Sequence, residues 1–204
     1  MKGSCSSLFL WGALAASTAL AAPSEWSLDP GHSSIAFQAR FLMASNVHGI
    51  FREMKGSLRF DDQDVTKSYV DVTIPAASID TGLAKRDEHL RSPDFLDVAR
   101  FPVLTFRSKR IKELPGGRLD VVGDLTIHGI TREATLHVNE VSNRLKDPWG
   151  GIRMGASAHT SINRGDFGLK WNKVVETGGF LVGEKVDMVL DIMWVRDAKM
   201  FPKR

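Results

Sequence analysis

The feature that most constrains the fold is a two-residue alternation of apolar and polar side chains that recurs along the chain. Between Ile35 and Phe41, for example, apolar residues at every second position are separated by Ala36, Gln38 and Arg40. Successive side chains of a β-strand point to opposite faces, so this spacing predicts a strand with one apolar face. Seven further runs show the same pattern, at 54–60, 70–74, 104–106, 119–127, 134–138, 154–162 and 186–194.

Short turn signals between these runs favour antiparallel neighbours, among them Pro115-Gly116-Gly117 and His128-Gly129. Eight strands with one apolar face each must form a sandwich or close into a barrel, and closure also removes exposed sheet edges. A barrel of this size is filled by its own side chains or holds one small ligand. We therefore expect an all-β fold, an eight-stranded antiparallel β-barrel.

Residues 84–98 interrupt the alternation and predict a short helical insertion across one end of the barrel. Leu83, Asp87 and Leu90 have helical spacing, and Ser92-Pro93 is typical of a helix N-cap followed by proline at the first helical position. The segment predicts one or two short helices.

The N-terminus predicts export. Lys2 precedes an apolar stretch at 8–20, and Ala19-Leu20-Ala21 has the small residues of a cleavage site, so residues 1–21 are interpreted as a signal peptide and 22–204 as one domain. The expected location is the periplasm or the cell exterior. Cys5 is the only cysteine and lies in the predicted signal peptide.

Charge and composition disfavour several function classes. The formal net charge is +3, with basic and acidic residues interleaved along the chain, and no basic block indicates nucleic-acid binding. No second apolar run is long enough to predict a membrane span. The six histidines lack the spacing of a zinc site, so no metal is expected.

The apolar faces of the predicted strands are candidate ligand contacts, although the same residues would be core in a filled barrel. Small residues on these faces, such as Gly56, Gly123 and Ala156, predict free space inside. The candidate lining residues are Phe37, Phe41, Phe60, Val72, Phe106, Leu125, Ile162, Met188, Leu190 and Ile192.

A series of short motifs, in this order, resembles the YceI family of polyisoprenoid-binding, lipocalin-like proteins. They are LDPGHS at 28–33, VHGIF at 47–51, RDEHL at 86–90, SPDFL at 92–96, FPVLTF at 101–106, GDLTIHGIT at 123–131 and NRGDFG at 163–168. The resemblance implies an extended lipocalin-like barrel, an export signal and a long polyisoprenoid or other amphiphilic lipid inside the barrel. It implies no cofactor and leaves the ligand's identity open.

Three polar residues are candidate contacts for a ligand head group, namely Arg86, Asp87 and Arg164. Their structural alternatives are a helix tied to the barrel rim for the first two and an Arg-carboxylate clamp for Arg164. The expected function is a non-enzymatic lipid carrier or scavenger. The alternatives are an envelope enzyme acting on a lipid, using His89 or His128 with Asp87 or Asp166, and a packed interaction barrel without a ligand. The sequence leaves open whether the chain acts alone or as a homodimer.

Overall fold

The alternating runs form the strands of one sheet. A computed structural model describes residues 23–174 and 180–196, and the predicted signal peptide lies outside them. The strands are β1 (Ser24–Leu28), β2 (Ser34–Phe41), β3 (Ser45–Phe51), β4 (Lys55–Phe60), β5 (Tyr69–Pro75), β6 (Ile79–Asp80), β7 (Val103–Leu114), β8 (Arg118–Ile127), β9 (Ile130–Val141), β10 (Leu145–Lys146), β11 (Ile152–Asn163) and β12 (Val182–Arg196). Each predicted run falls in a strand, although Met54 lies just before β4.

Strand β12 closes the sheet into a barrel. It pairs with β11 along one edge and with β1 and β2 along the other. Some positions around the barrel wall are occupied by two consecutive strands lying end to end. These pairs are β1 with β2, β3 with β4, β5 with β6 and β9 with β10. The twelve strands thus occupy eight positions, and every recorded pairing between them is antiparallel, which confirms the predicted barrel.

Four strands were not predicted from the alternation: β6 and β10, which have two residues each, and β1 and β3, which each place few large apolar side chains inside. β1 contributes only Trp26 and Leu28 to the buried core. In β3 the inward position midway along the strand is Gly49, whose Cβ, if present, would lie 2.3 Å from Cζ of Phe37. The Phe37 ring from β2 fills the space that a side chain of β3 would otherwise occupy.

The helical insertion contains one helix, α1 (Ala84–Arg91). Asp87 is buried, and its Oδ1 accepts a hydrogen bond of 2.9 Å from the backbone N–H of Thr81, which ties the helix to the end of β6. Leu83 is exposed because it precedes the first helical turn. A second helix at Ser92 does not form; the chain turns back at Asp97, where φ is 43°.

The inward faces of all eight positions form one continuous hydrophobic core. Its most deeply buried large side chains are Trp26 and Ile35, which are 2% and 1% exposed. Burial of each such side chain stabilises the fold by about 1.5–3 kcal/mol. No helix among residues 23–174 and 180–196 is long and apolar enough to cross a membrane.

A polar network joins the chain segments at one end of the barrel. Arg153 Nε donates to Asp147 Oδ2 over 2.8 Å, and Arg153 Nη1 donates to Asp29. His32 also contacts Asp29, with Nδ1 and Oδ2 2.9 Å apart. Burial alone would raise the pKa of Asp29 and of Asp147, but hydrogen bonds from Arg153 and from nearby backbone N–H groups, with His32 adding to them at Asp29, outweigh it and lower both pKa values.

We expect this network to make the stability of the fold depend on pH. A carboxylate whose pKa is lowered by folding stabilises the protein above its unfolded pKa, near 3.8 here, and loses that contribution as the pH falls through the folded pKa. Arg153→Met is expected to lower the melting temperature at pH 7 by at least about 5 °C. The difference from the wild type should shrink as the pH falls from about 7 to about 3.

Thermal melts across this pH range measure the effect, with Arg59→Met, an exposed change on the outer face of β4, as the control. A difference between wild type and Arg153→Met that is the same at both pH values would contradict the assignment.

Candidate functional site

The barrel contains an apolar cavity of about 130 Å³ on the side of the Arg153 network, which we call the distal cavity. Aliphatic and aromatic side chains from β2, β4, β5, β7, β8, β9, β11 and β12 line it. Among the described residues that line it, only Ser68 and Thr160 have side chains that are neither aliphatic nor aromatic. An interior of this kind favours hydrocarbon over water.

A second apolar cavity, of about 120 Å³, lies beneath the helical insertion, and we call it the helix-side cavity. Leu90 of α1 and Phe95 and Leu96 of the turns that follow cover it from one side. Leu169, which follows β11, and Val182, at the start of β12, also line it. Its one charged lining residue among those described is Arg164.

Met188 separates the two cavities and is the residue that lines both. It lies on β12 between Phe37 of β2 and Thr160 of β11, its cross-strand neighbours, and it is 8% exposed. The unbranched methionine side chain has three rotatable bonds and adapts readily to its surroundings. A molecule that occupied both cavities would therefore contact Met188.

Nine of the ten predicted lining residues face these cavities. Phe37 and Ile162 line the helix-side cavity, and Met188 lines both. Phe41 lines neither and lies at the end of β2. The residues of the distal cavity are Phe60, Val72, Phe106, Leu125, Leu190 and Ile192. Their contact with a ligand stays a prediction.

The small inward residues contribute less free space than the sequence indicates. A Cβ at Gly123 would lie 2.3 Å from the carbonyl oxygen of Arg107 and 2.8 Å from Cζ of Phe106, and a Cβ at Gly56 would lie 2.8 Å from the carbonyl oxygen of Asp71. Neighbouring strands therefore already fill these positions. Ala156 and Ala158 do line the distal cavity.

Arg164 is buried at 6% exposure and donates to backbone carbonyl groups. Nε bonds Gly183 at 2.9 Å, Nη1 bonds Leu169 and also Trp171 at 2.9 Å, and Nη2 bonds Val182 at 3.3 Å. Burial lowers the pKa of Arg164, although the Glu184 carboxylate partly opposes this shift. The expected clamp therefore exists, but it holds carbonyl groups instead of a carboxylate.

Arg86 and Asp87 converge on Thr81. Arg86 Nε donates to the Thr81 hydroxyl over 2.6 Å and Nη2 to the Thr81 carbonyl over 2.8 Å, while the same hydroxyl donates to Asp87 Oδ1 over 2.5 Å. These bonds tie α1 to the barrel rim. Neither residue lines either cavity, so of the three predicted head-group contacts only Arg164 faces an interior space.

The two histidines suggested for catalysis have structural partners. His89 Nε2 lies 2.8 Å from Asp94 Oδ2, and its ring packs edge-on against Phe95 and Trp171. His89 therefore pairs with Asp94, whereas Asp87 is bonded to Thr81. His128 packs against Phe101. No group of three metal-binding side chains comes together in the described part of the chain.

The sequence reasoning missed the lining residues that lie outside regular strands. Leu90, Phe95, Leu96 and Leu169 close the helix-side cavity, and none belongs to an alternating run. Their one signal is a cluster of apolar residues in a segment that is otherwise rich in charge and turn formers.

Comparisons with known proteins place this architecture in a family. The family model for the YceI-like domain matches residues 26–194. Protein YceI of Escherichia coli O157:H7 is 35% identical over 181 residues, covering 89% of this chain and 91% of that protein.

Two solved structures share the fold. BcnA of Burkholderia cenocepacia superposes with a TM-score of 0.71 at 22% identity, covering 81% of this chain and 98% of that one. A polyisoprenoid binding domain from Saccharophagus degradans gives a TM-score of 0.60 at 16% identity, covering 83% and 97%. The family model and the identity to Protein YceI show that this chain belongs to the YceI-like family.

Proposed function

We propose that the chain binds one long apolar or amphiphilic molecule, of the polyisoprenoid class, inside its barrel. The observation that carries the proposal is the pair of apolar cavities arranged in series along a closed barrel. The Saccharophagus degradans domain, which is described as polyisoprenoid binding, has the same fold and supports this ligand class. The packed barrel without a ligand would not require two voids in its core.

The energetics suit a hydrocarbon chain. Transfer of one methylene group out of water contributes about 0.8 kcal/mol, so a long chain accumulates affinity with few polar contacts. A dry apolar cavity of about 150 Å³ accommodates a benzene molecule in another protein, so each cavity here accepts a short piece of chain as it stands. A longer ligand occupies both cavities and displaces the Met188 side chain.

The proposed role is transport or sequestration without catalysis, after export by the signal peptide at 1–21. Two of the four polar groups suggested for catalysis are engaged in structural bonds, Asp87 with Thr81 and His89 with Asp94. A general acid or base must reach a reacting proton within hydrogen-bond distance. Of Arg86, Asp87 and Arg164, Arg164 is the best placed to meet a ligand head group.

Native mass spectrometry of protein purified without detergent tests the proposal directly. We expect a mass excess that organic extraction removes and that matches a prenyl or other long-chain lipid in the extract. A protein that is repeatedly empty and that takes up neither prenyl alcohols nor fatty acids would refute the function.

A charge inside the distal cavity is expected to abolish binding while the fold survives. In Leu125→Asp the carboxylate faces a void in which water can partly solvate it, so the loss of stability should be about 2–3 kcal/mol, within the total of most domains. Affinity for a prenyl alcohol should fall more than about tenfold, since an apolar chain cannot solvate the charge.

Thermal melts and binding titrations measure the two effects, with Arg59→Asp and Thr73→Asp on the outer face as controls. Normal binding by Leu125→Asp would show that the distal cavity is not the site. Complete unfolding would show that this part of the barrel is a packed core.

Substitutions at Met188 are expected to change the preferred ligand length. Met188→Ala should join the two cavities and preserve or strengthen binding of long prenyl alcohols. Met188→Trp should block the passage and weaken binding of long ligands about tenfold or more, while short ones still bind.

Titration of each variant with prenyl alcohols of increasing length measures this, and Val189→Ala, on the outer face of the same strand, is the control. An identical length dependence in all of these proteins would remove Met188 from the site.

A further inference from the structure

Exposed large apolar side chains concentrate at one end of the barrel. Of the nine that the described residues contain, four lie on two adjoining connections at the end that holds the helix-side cavity. They are Leu42, Met43, Val174 and Phe180, between 45% and 76% exposed. We call these four residues the apolar lip.

Backbone pairing brings the two connections together. The N–H of Leu42 donates to the carbonyl of Leu181 over 2.8 Å, continuing the pairing of Phe41 with Val182. On the far side, the N–H of Leu181 donates to the carbonyl of Lys173 over 2.9 Å, and Val174 forms a bridge with Phe180. The backbones that carry the four side chains therefore lie side by side.

The turn that carries Leu42 and Met43 is poorly suited to both residues. Their φ angles are 52° and 55°, and the N–H of Ala44 donates to the carbonyl of Phe41 over 3.0 Å. Turns with two left-handed central residues favour Asn-Gly, because bulky side chains are strained in this conformation. Here two large apolar residues are both strained and exposed to water, so folding alone does not account for them.

Basic side chains flank the lip. Arg40 donates from Nη2 to the carbonyl of Met43 over 2.7 Å and is exposed, as are Lys170 and Lys173. The exposed acidic residue on the described strand beside them is Glu184. Exposed apolar residues bordered by cations are complementary to the interface of an anionic bilayer, where the apolar tips enter the acyl region and the cations meet phosphate groups.

The lip also adjoins the interior. Val182, which pairs with Phe41 next to Leu42, lines the helix-side cavity together with Leu169. The lip thus begins one residue along the chain from a strand pair that borders the cavity.

We propose that the apolar lip docks onto bilayers that contain anionic phospholipid, with the helix-side end of the barrel facing the membrane. This interaction goes beyond the proposed ligand binding and does not depend on it. Leu42 and Met43 insert, together with Val174 and Phe180, and Arg40, Lys170 and Lys173 bind the phosphate groups of the lipids.

The double variant Leu42→Asn, Met43→Gly tests the docking without a risk to the fold. It places the preferred Asn-Gly pair in the turn, so its melting temperature should equal or exceed that of the wild type. Its binding to phosphatidylglycerol–phosphatidylethanolamine vesicles, measured by co-sedimentation, should be about tenfold or more weaker, because two inserting side chains are lost. Lys173→Gln should weaken binding about fivefold.

Leu145→Asn is the matched control, since Leu145 is equally exposed on β10 at the opposite end of the barrel, and it should bind vesicles as the wild type does. All proteins are expressed from the full chain, and intact mass verifies that they share one N-terminus.

Three results would overturn the proposal. They are wild-type protein that does not prefer phosphatidylglycerol vesicles over phosphatidylcholine vesicles, a double variant that binds them as strongly as the wild type, and a wild-type dimer without lipid that the double variant lacks. The last result would identify the lip as a contact between two copies. Prenyl alcohol binding in solution, measured in parallel, should be equal in both proteins, so failure of docking and failure of ligand binding are distinguished.

Discussion

The structure depends on the pairing of β11 with β12. This ladder runs without a break from Ile152 opposite Arg196 to Asn163 opposite Lys185 and joins the last described strand to the strand that precedes it. Without it the sheet would have two open edges and an apolar face exposed to water. With it, side chains from every position point toward one axis, and the space between them is enclosed. The cavities are therefore a product of closure.

The fold was largely predictable because the two-residue alternation in each run shows which face of the strand is apolar. Residues such as Leu125 and Leu190 could be assigned to the interior for the same reason. The shape of the interior was not predictable. Phe106 of the neighbouring strand occupies the space beside Gly123. Leu96 and Leu169 reach the helix-side cavity from segments without apolar–polar alternation. These outcomes depend on packing between segments distant in sequence.

The division of the interior suits a ligand that is long and chemically uniform. A carrier for a compact molecule would gain from one rounded cavity with several polar groups. Two apolar cavities separated by the adaptable Met188 side chain instead suit the proposed flexible chain, selected by length and width. The helix-side cavity lies at the same end of the barrel as the apolar lip, so the proposed docking would place this cavity toward the bilayer.

The arginine clamps at the two ends of the barrel respond differently to acid. At the distal end, Arg153 binds carboxylates, which lose their charge when protonated. At the helix-side end, Arg164 binds carbonyl oxygens, which do not titrate, and a guanidinium group keeps its proton throughout the physiological range. Acidification thus weakens the Arg153 network but not the bonds from Arg164 to carbonyl oxygens. The two ends of the barrel thus differ in the partners of their arginine clamps, although the strands around the wall are similar.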